Sequence, residues 1–182
     1  LLVSLATFNL ATAQSPASAP ADASADRWNL ADLYPSPDAW NADATKVVAQ
    51  MKDLASCKGH LGDSAARFKQ CVDLEADINK RFLRMNVYSS EQLSEDTSSP
   101  TSLELSQRTS VLTSKLGEAG AFMNPETLRV GKDKIARFLA QDASLKIYRH
   151  PLDEILRMAP HTLDDKGESL VAQFGLMNSA GR

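Results

Sequence analysis

Two of the three histidines in this chain lie close together in a stretch that is also rich in carboxylates. His150 and His161 both belong to the sequence YRHPLDEILRMAPHTLDDKGESL, which covers residues 148–170. Imidazole nitrogens and carboxylate oxygens bind zinc, and the same groups act as general acids and bases. The composition of this stretch therefore raises the question of a catalytic or metal site.

The spacing of these groups does not suit a helical zinc site. Such a site places two histidines one helical turn apart, with a glutamate beside the first as general base. His150 and His161 are separated by a longer interval that contains Pro160, so they cannot share one helical face. His150 and Glu154 are one turn apart, but two ligands do not make a metal site. We therefore expect no metal ligand and no catalytic residue here.

The same residues are better explained as the boundary between two helices. Pro160 ends a helix because it disfavours helical geometry in the preceding residue and lacks an amide hydrogen. Asp165 and Glu168 have the spacing of a capping box, in which each side chain accepts a hydrogen bond from the other residue's backbone amide. Both acids also favour the positive end of the helix dipole. We expect His161 to fix the turn through a hydrogen bond rather than only to face solvent.

A second candidate site contains both cysteines. Cys57, His60 and Cys71 would supply three metal ligands, but a fourth is missing. In an exported protein, two cysteines on either side of a predicted helix–turn–helix connection more simply form a disulfide. The alternative is a pair of separate thiols, with Cys71 buried as a small apolar residue.

The first residues indicate export. Residues 1–13, LLVSLATFNLATA, form an apolar run that ends in the small residues of a signal-peptidase site, and we interpret them as a truncated signal peptide. The run is too short for a membrane anchor, since a spanning helix needs about 20 apolar residues. Residues 14–26 are small and polar with two prolines, which predicts a disordered linker. We expect a periplasmic or secreted protein with no stable membrane anchor and with both chain ends cut.

Composition and periodicity predict an all-α fold of antiparallel helical hairpins. The net charge of −3 and the absence of a basic stripe argue against nucleic acid as a partner. Apolar residues recur with helical spacing, and Ser36, Ser64 and Asn124 are the predicted N-caps. We expect helices over 37–56, 64–88, 100–122, from 124 past Gly131, over 145–156 with an interruption at Pro151, and over 165–177. Residues 89–100 are predicted to form a polar break.

Four stretches of the chain resemble the oligoendopeptidase F family of zinc metallopeptidases. They are RWNLADLYPSPDAWNAD, VYSSEQLSEDT, AFMNPETL and YRHPLDEILRMAPHTLDDKGESLVA. Their order and spacing fit this family from about residue 27 to residue 180. Three features depart from the family's usual pattern: Pro151 inside a helix, Gly167 where an acid is frequent, and the export signal.

The resemblance implies that residues 27–182 are the N-terminal helical lobe of a longer peptidase. Members of the family are largely helical bowls that hydrolyse oligopeptides, with zinc held by a His-Glu-x-x-His helix in a C-terminal catalytic domain. That motif does not occur in residues 1–182. The implied partners are therefore the chain's own C-terminal catalytic domain and oligopeptide substrates. The rival hypothesis is a non-enzymatic exported helical module that binds or links other molecules.

The predicted capping box can be tested by substitution. Glu168→Ala and Asp165→Ala should each lower the free energy of unfolding by about 1 kcal/mol, because each removes one side-chain acceptor from the helix start. The double variant should lose less than the sum, since the two caps act together, and His161→Ala should loosen the same turn. Urea unfolding of the 182-residue chain measures these changes, and unchanged stability in all three single variants would contradict the prediction.

Overall fold

The predicted all-α architecture is confirmed over the part of the chain that the structure describes. A computed structural model describes residues 29–159, and this part contains no strand. The helices are α1 (Pro37–Ala55), α2 (Ala65–Glu95), α3 (Pro100–Gly120), α4 (Met123–Val130), α5 (Lys132–Gln141) and α6 (Arg149–Arg157). Two short 3₁₀ helices, Leu30–Asp32 and Ala143–Tyr148, precede α1 and α6. Trp28, His161, Asp165 and Glu168 lie outside the described residues.

Two predicted helix starts are confirmed by the hydrogen bonds at their caps. The Ser36 side chain accepts from the Ala39 amide at 3.3 Å, and Pro37 takes the first helical position of α1. The Ser64 side chain accepts from the Arg67 amide at 3.1 Å at the start of α2. In both cases an extended residue satisfies an amide that has no partner within the helix.

The predicted polar break after residue 88 is partly wrong, because α2 continues to Glu95. The sequence SSEQLSE contains good helix formers and neither glycine nor proline, so its polarity alone does not end the helix. The chain turns only at Asp96, whose carboxylate accepts from the Ser98 amide at 2.9 Å and from the Ser98 hydroxyl at 2.7 Å. Ser99 then caps α3.

The two predictions for the following helices also need correction. Asn124 is not an N-cap, because α4 already begins at Met123 and Pro125 fits within its first turn. Gly131 adopts a φ of +82°, a left-handed conformation that separates α4 from α5. Pro151 lies in the first turn of α6, so residues 143–157 form a 3₁₀ helix followed by an α-helix rather than one interrupted helix.

Helices α1, α2 and α3 form two antiparallel hairpins that share a core. The fully buried Trp40 of α1 donates from its indole nitrogen to the Met85 carbonyl of α2 at 3.0 Å. Between α2 and α3, the Thr109 hydroxyl donates to the Ser89 hydroxyl at 2.9 Å. The largest wholly buried apolar side chains are Trp40, Phe68, Leu54, Leu61, Ile78, Met85, Ile135, Leu145 and Val47.

Helices α4, α5 and α6 pack as a smaller layer against one end of α2. Phe68 of α2 contacts Phe138 of α5, with ring centroids 5.7 Å apart. Leu145 and Leu152 are buried at the joint between the second 3₁₀ helix, α6 and α2. Within residues 29–159, no helix has the length and hydrophobicity needed to cross a bilayer.

A disulfide joins the end of α1 to the first turns of α2. In the structure Cys57 and Cys71 are bonded, with their Cα atoms 5.9 Å apart, and both are buried. The bond spans the turn that connects the first hairpin. It therefore holds this turn against α2 independently of the hydrogen bonds that the turn makes.

The disulfide should form in the oxidised protein and stabilise it. Closing a loop of this length contributes about 3 kcal/mol in the chain-entropy model. We expect the Cys57→Ala/Cys71→Ala variant to lose stability of that order in urea unfolding. Mass spectrometry after alkylation without reductant supplies the direct check, and two freely alkylated thiols would show that the bond is absent in solution.

Candidate functional site

The histidines of residues 29–159 lie apart from one another on the surface. His60 lies in the turn after α1, where its Nδ1 is 2.8 Å from Asp63 Oδ2, and both side chains are more than half exposed. His150 is exposed in the first turn of α6. In this part of the chain, no group of three or more His, Cys, Asp or Glu side chains could hold a metal ion. Cys57 and Cys71 are joined to each other, so neither is a thiolate ligand.

Glu126 is a buried carboxylate with a structural role that the sequence did not reveal. Its side chain lies on α4 and accepts from the Gly59 amide at 2.7 Å and from the Leu61 amide at 2.8 Å. Charge-assisted hydrogen bonds of this kind offset the cost of burying the carboxylate. They tie the turn after α1 to α4.

A second charged network joins α1 to α2. Asp43 is buried and accepts from the Tyr34 hydroxyl at 2.7 Å and from Arg81 at 3.0 Å. Arg81 also donates to Asp77, as does Gln50, and these bonds hold the pKa of the Asp77 carboxyl below its usual value. Burial, and then the contact with Asp43, raises the pKa of Tyr34. The charged groups are paired within the network, which stabilises the hairpin, whereas the buried Gln50 Oε1 has no hydrogen-bond partner among the described residues.

Asp73 links α2 to the joint before α6. It accepts from Lys69 on its own helix and from the Tyr148 hydroxyl at 2.6 Å. Burial acts to raise the pKa of Asp73, but the hydrogen bonds from Lys69 and Tyr148 outweigh it and hold that pKa below its usual value. Burial and the bond to Asp73 raise the pKa of Tyr148 to about 12. Tyr148 is therefore a neutral donor at physiological pH and positions the start of α6.

At least four grooves on the surface of residues 29–159 are large enough to take a ligand, and two of them are lined by residues of α1, α2 or α3. The first lies between α1 and α3 and has a volume of about 490 Å³; its walls are Ala44, Thr45, Val48, Gln107, Arg108, Val111, Leu112 and Lys115. The second, which we call the Glu75 groove, has a volume of about 280 Å³. It is lined by Val72, Glu75, Ala76, Asn79, Met123, Asn124, Thr127, Tyr148, Pro151, Leu152 and Ile155.

The side chains that line these two grooves are suited to ligand binding. The α1–α3 groove has an apolar floor and two cationic side chains, and the Arg108 guanidinium stacks 5.2 Å from the Trp40 ring centroid. The Glu75 groove has one carboxyl group among neutral amides and apolar walls. The lining of the α1–α3 groove contains no carboxylate or imidazole base, and the carboxylate of the Glu75 groove makes no hydrogen bond to the Thr127 hydroxyl that could act as a nucleophile.

Comparison with known proteins relates this chain to bacterial oligopeptidases. A family model described as Oligopeptidase F matches residues 126–182. The chain is 30% identical over 148 residues to "Oligopeptidase PepF" of Bacillus subtilis, an alignment that covers 81% of this chain and 22% of that protein. It is 25% identical over 146 residues to "Group B oligopeptidase PepB" of Streptococcus agalactiae, covering 80% of this chain and 24% of that protein.

A solved structure shows the same arrangement of helices. The crystal structure of oligoendopeptidase-F from Enterococcus faecium matches with a TM-score of 0.66 and 26% sequence identity, covering 80% of this chain and 29% of that chain. The matched part is the N-terminal region of that protein. This chain thus spans less than a third of the length of the relatives that it matches.

Removal of the Glu126 carboxylate should destabilise the fold. Glu126→Ala leaves two backbone amides without their acceptor, and we expect a loss of about 2–3 kcal/mol in urea unfolding. Glu126→Gln keeps one acceptor oxygen, so its stability should fall between that of the wild type and that of Glu126→Ala. The matched control is Glu118→Ala, an exposed glutamate on α3, which should leave stability nearly unchanged; equal effects at both positions would contradict the role of Glu126.

Proposed function

This chain belongs to the oligoendopeptidase F family, and from this membership we propose that it is the N-terminal helical lobe of a longer zinc-dependent oligopeptidase. The observation that carries the proposal is the match between its helices and the N-terminal region of a solved oligoendopeptidase-F. The longer relatives are single-chain peptidases. The partner of this lobe is therefore a C-terminal catalytic domain of its own polypeptide, and the substrates of the whole protein are oligopeptides.

The zinc of the parent enzyme does not fit the described residues of this lobe. His60 is paired with Asp63, His150 has only Glu154 near it on α6, and both cysteines are in the disulfide. A catalytic zinc needs three protein ligands that converge on an open position. We therefore assign no step of peptide hydrolysis to residues 29–159 and place the metal in the catalytic domain.

The lobe would act as a rigid wall of the substrate cleft that limits access to short peptides. Rigidity is a requirement for this role, because a flexible wall would not exclude longer chains. Three features supply it: the shared core of α1, α2 and α3, the disulfide, and the turn fixed by Glu126. The buried charged network around Asp43 adds a further constraint between α1 and α2.

We further propose that the protein works on the exported side of the membrane. The apolar run of residues 1–13 motivates this, and a buried disulfide is the kind of crosslink that oxidising compartments allow. Fusion of residues 1–26 to a reporter that is active only after export provides the test. Failure of the fusion to export the reporter would refute the localisation without affecting the assignment as a lobe.

The proposal predicts that this chain alone is catalytically inert. Incubation of the purified chain with zinc and a quenched fluorescent oligopeptide should give no cleavage above the buffer rate. The parent enzyme, read from the coding sequence beyond Arg182, should carry His-Glu-x-x-His and cleave the same peptide. Chelator-sensitive cleavage by the 182-residue chain would defeat the assignment, and a parent with no such motif would favour the binding module instead.

The same proposal predicts that the histidines of this lobe are dispensable for chemistry. In the parent enzyme, His60→Ala, His150→Ala and His161→Ala should each retain a maximal turnover rate close to wild type at low temperature, whatever their effect on the melting curve. A fall of about a hundredfold or more in any variant whose fold is intact would place that histidine in the active site.

A further inference from the structure

Glu75 differs from four other acidic residues that lie in packed surroundings. Asp43, Asp73, Asp77 and Glu126 each accept hydrogen bonds from cations, hydroxyls or amides. Among residues 29–159, the carboxylate of Glu75 makes no hydrogen bond or ion pair, although the side chain is partly buried on α2. Burial alone raises the pKa of Glu75, with no neighbouring charge contributing.

The end of α3 beside Glu75 favours a cation, although the first turns of α4 and α6, which carry partial positive charge, also line the groove. A Cβ atom built on Gly120 would lie 3.8 Å from Glu75 Oε1, so the carboxylate sits beside the last residue of α3. The C-terminal end of a helix carries partial negative charge. The ionised carboxylate and the end of α3 therefore repel each other, and a positive group held between them would relieve both.

Neutral acceptors and apolar walls complete the Glu75 groove. Asn79 follows Glu75 by one helical turn and lies on the same face of α2, while Asn124 faces the groove from α4. Among the described residues, neither asparagine side chain makes a hydrogen bond. The walls are methylene and methyl groups from three helices: Val72, Ala76, Met123, Leu152 and Ile155.

We propose that the Glu75 groove binds a primary ammonium group carried on an apolar chain, as in a lysine side chain or a peptide amino terminus. The ammonium has three N–H donors, which match the Glu75 carboxylate and the side-chain oxygens of Asn79 and Asn124. The alkyl chain packs against the apolar walls, and the groove volume of about 280 Å³ accommodates a side chain of this size. A divalent metal fits less well, because a single carboxylate supplies too little negative charge.

This site does not depend on the proposed peptidase activity, and binding measurements test it directly. The probe is N-acetyl-Leu-Lys-Leu-amide, titrated into the 182-residue chain at millimolar concentration while the side-chain amide signals of Asn79 and Asn124 are followed by NMR. A second arm uses Leu-Leu-Leu-amide with a free amino terminus, which separates the α-amino source from the lysine source. We expect saturable shifts with at least one of the two peptides.

Acetylating the amine and substituting Glu75 should each weaken this binding. Acetylation of the lysine or of the amino terminus removes the charge, and Glu75→Gln removes its partner while keeping the shape; both should weaken binding by about tenfold or more. Glu118→Gln on the exposed face of α3 is the matched control and should bind as wild type. Asn79→Leu gives a second test, since it removes an acceptor without touching the core.

The pH dependence of binding gives a readout that a merely structural glutamate would not produce. The titratable side chains that line the groove are Glu75 and Tyr148, and the Tyr148 hydroxyl is committed to Asp73. Because the ammonium binds the ionised carboxylate, the affinity of the wild type should rise as the pH increases through the raised pKa of Glu75. The affinity of Glu75→Gln should not change across that range.

Three results would each overturn the proposal: equal binding of peptides whose amine has been acetylated, absence of saturable shifts, or a pH profile of Glu75→Gln that matches that of the wild type.

Discussion

The two hydrogen bonds from the turn after α1 to Glu126 connect the two layers of this lobe. Leu61 is wholly buried in that turn and donates to Glu126 at 2.8 Å, so a residue from the first hairpin and a residue from α4 fix each other's positions. The disulfide holds the same turn to α2. The bond from Tyr148 to Asp73 positions the start of α6, and the Glu75 groove lies between α2, α4 and α6.

The features that the sequence predicted well are those that depend on neighbours along the chain. The caps at Ser36 and Ser64 and the buried stripe of α1 follow from local hydrogen bonding and from helical periodicity. The pairing of Cys57 with Cys71 was predicted from a short connection between two helices, and the structure places these residues within bonding distance. Each of these inferences needs only the residues within about two helical turns or one hairpin connection.

The features that the sequence did not reveal depend on contacts between distant residues. Glu126 accepts from residues more than sixty positions away, and nothing in NPETL distinguishes a buried acceptor from an exposed helix-start acid. The start of α4 at Met123 follows from the burial of that side chain against the hairpins, which overrides the capping preference of Asn124. Gly131 looked like a tolerated residue within one helix, whereas its left-handed backbone ends α4.

Glu75 and Glu126 show how the same residue type is given opposite roles by packing. Both carboxylates are removed from solvent to some degree, and burying a charged group costs free energy unless it is paired. For Glu126 the protein supplies two amide donors, so the charge is used internally and the residue contributes to the fold. For Glu75 the described residues supply no donor, so the cost of the charge is left uncompensated in an open groove. A cation from another molecule can provide that compensation. The other buried carboxylates are already paired within the protein, so Glu75 is the one suited to recognition.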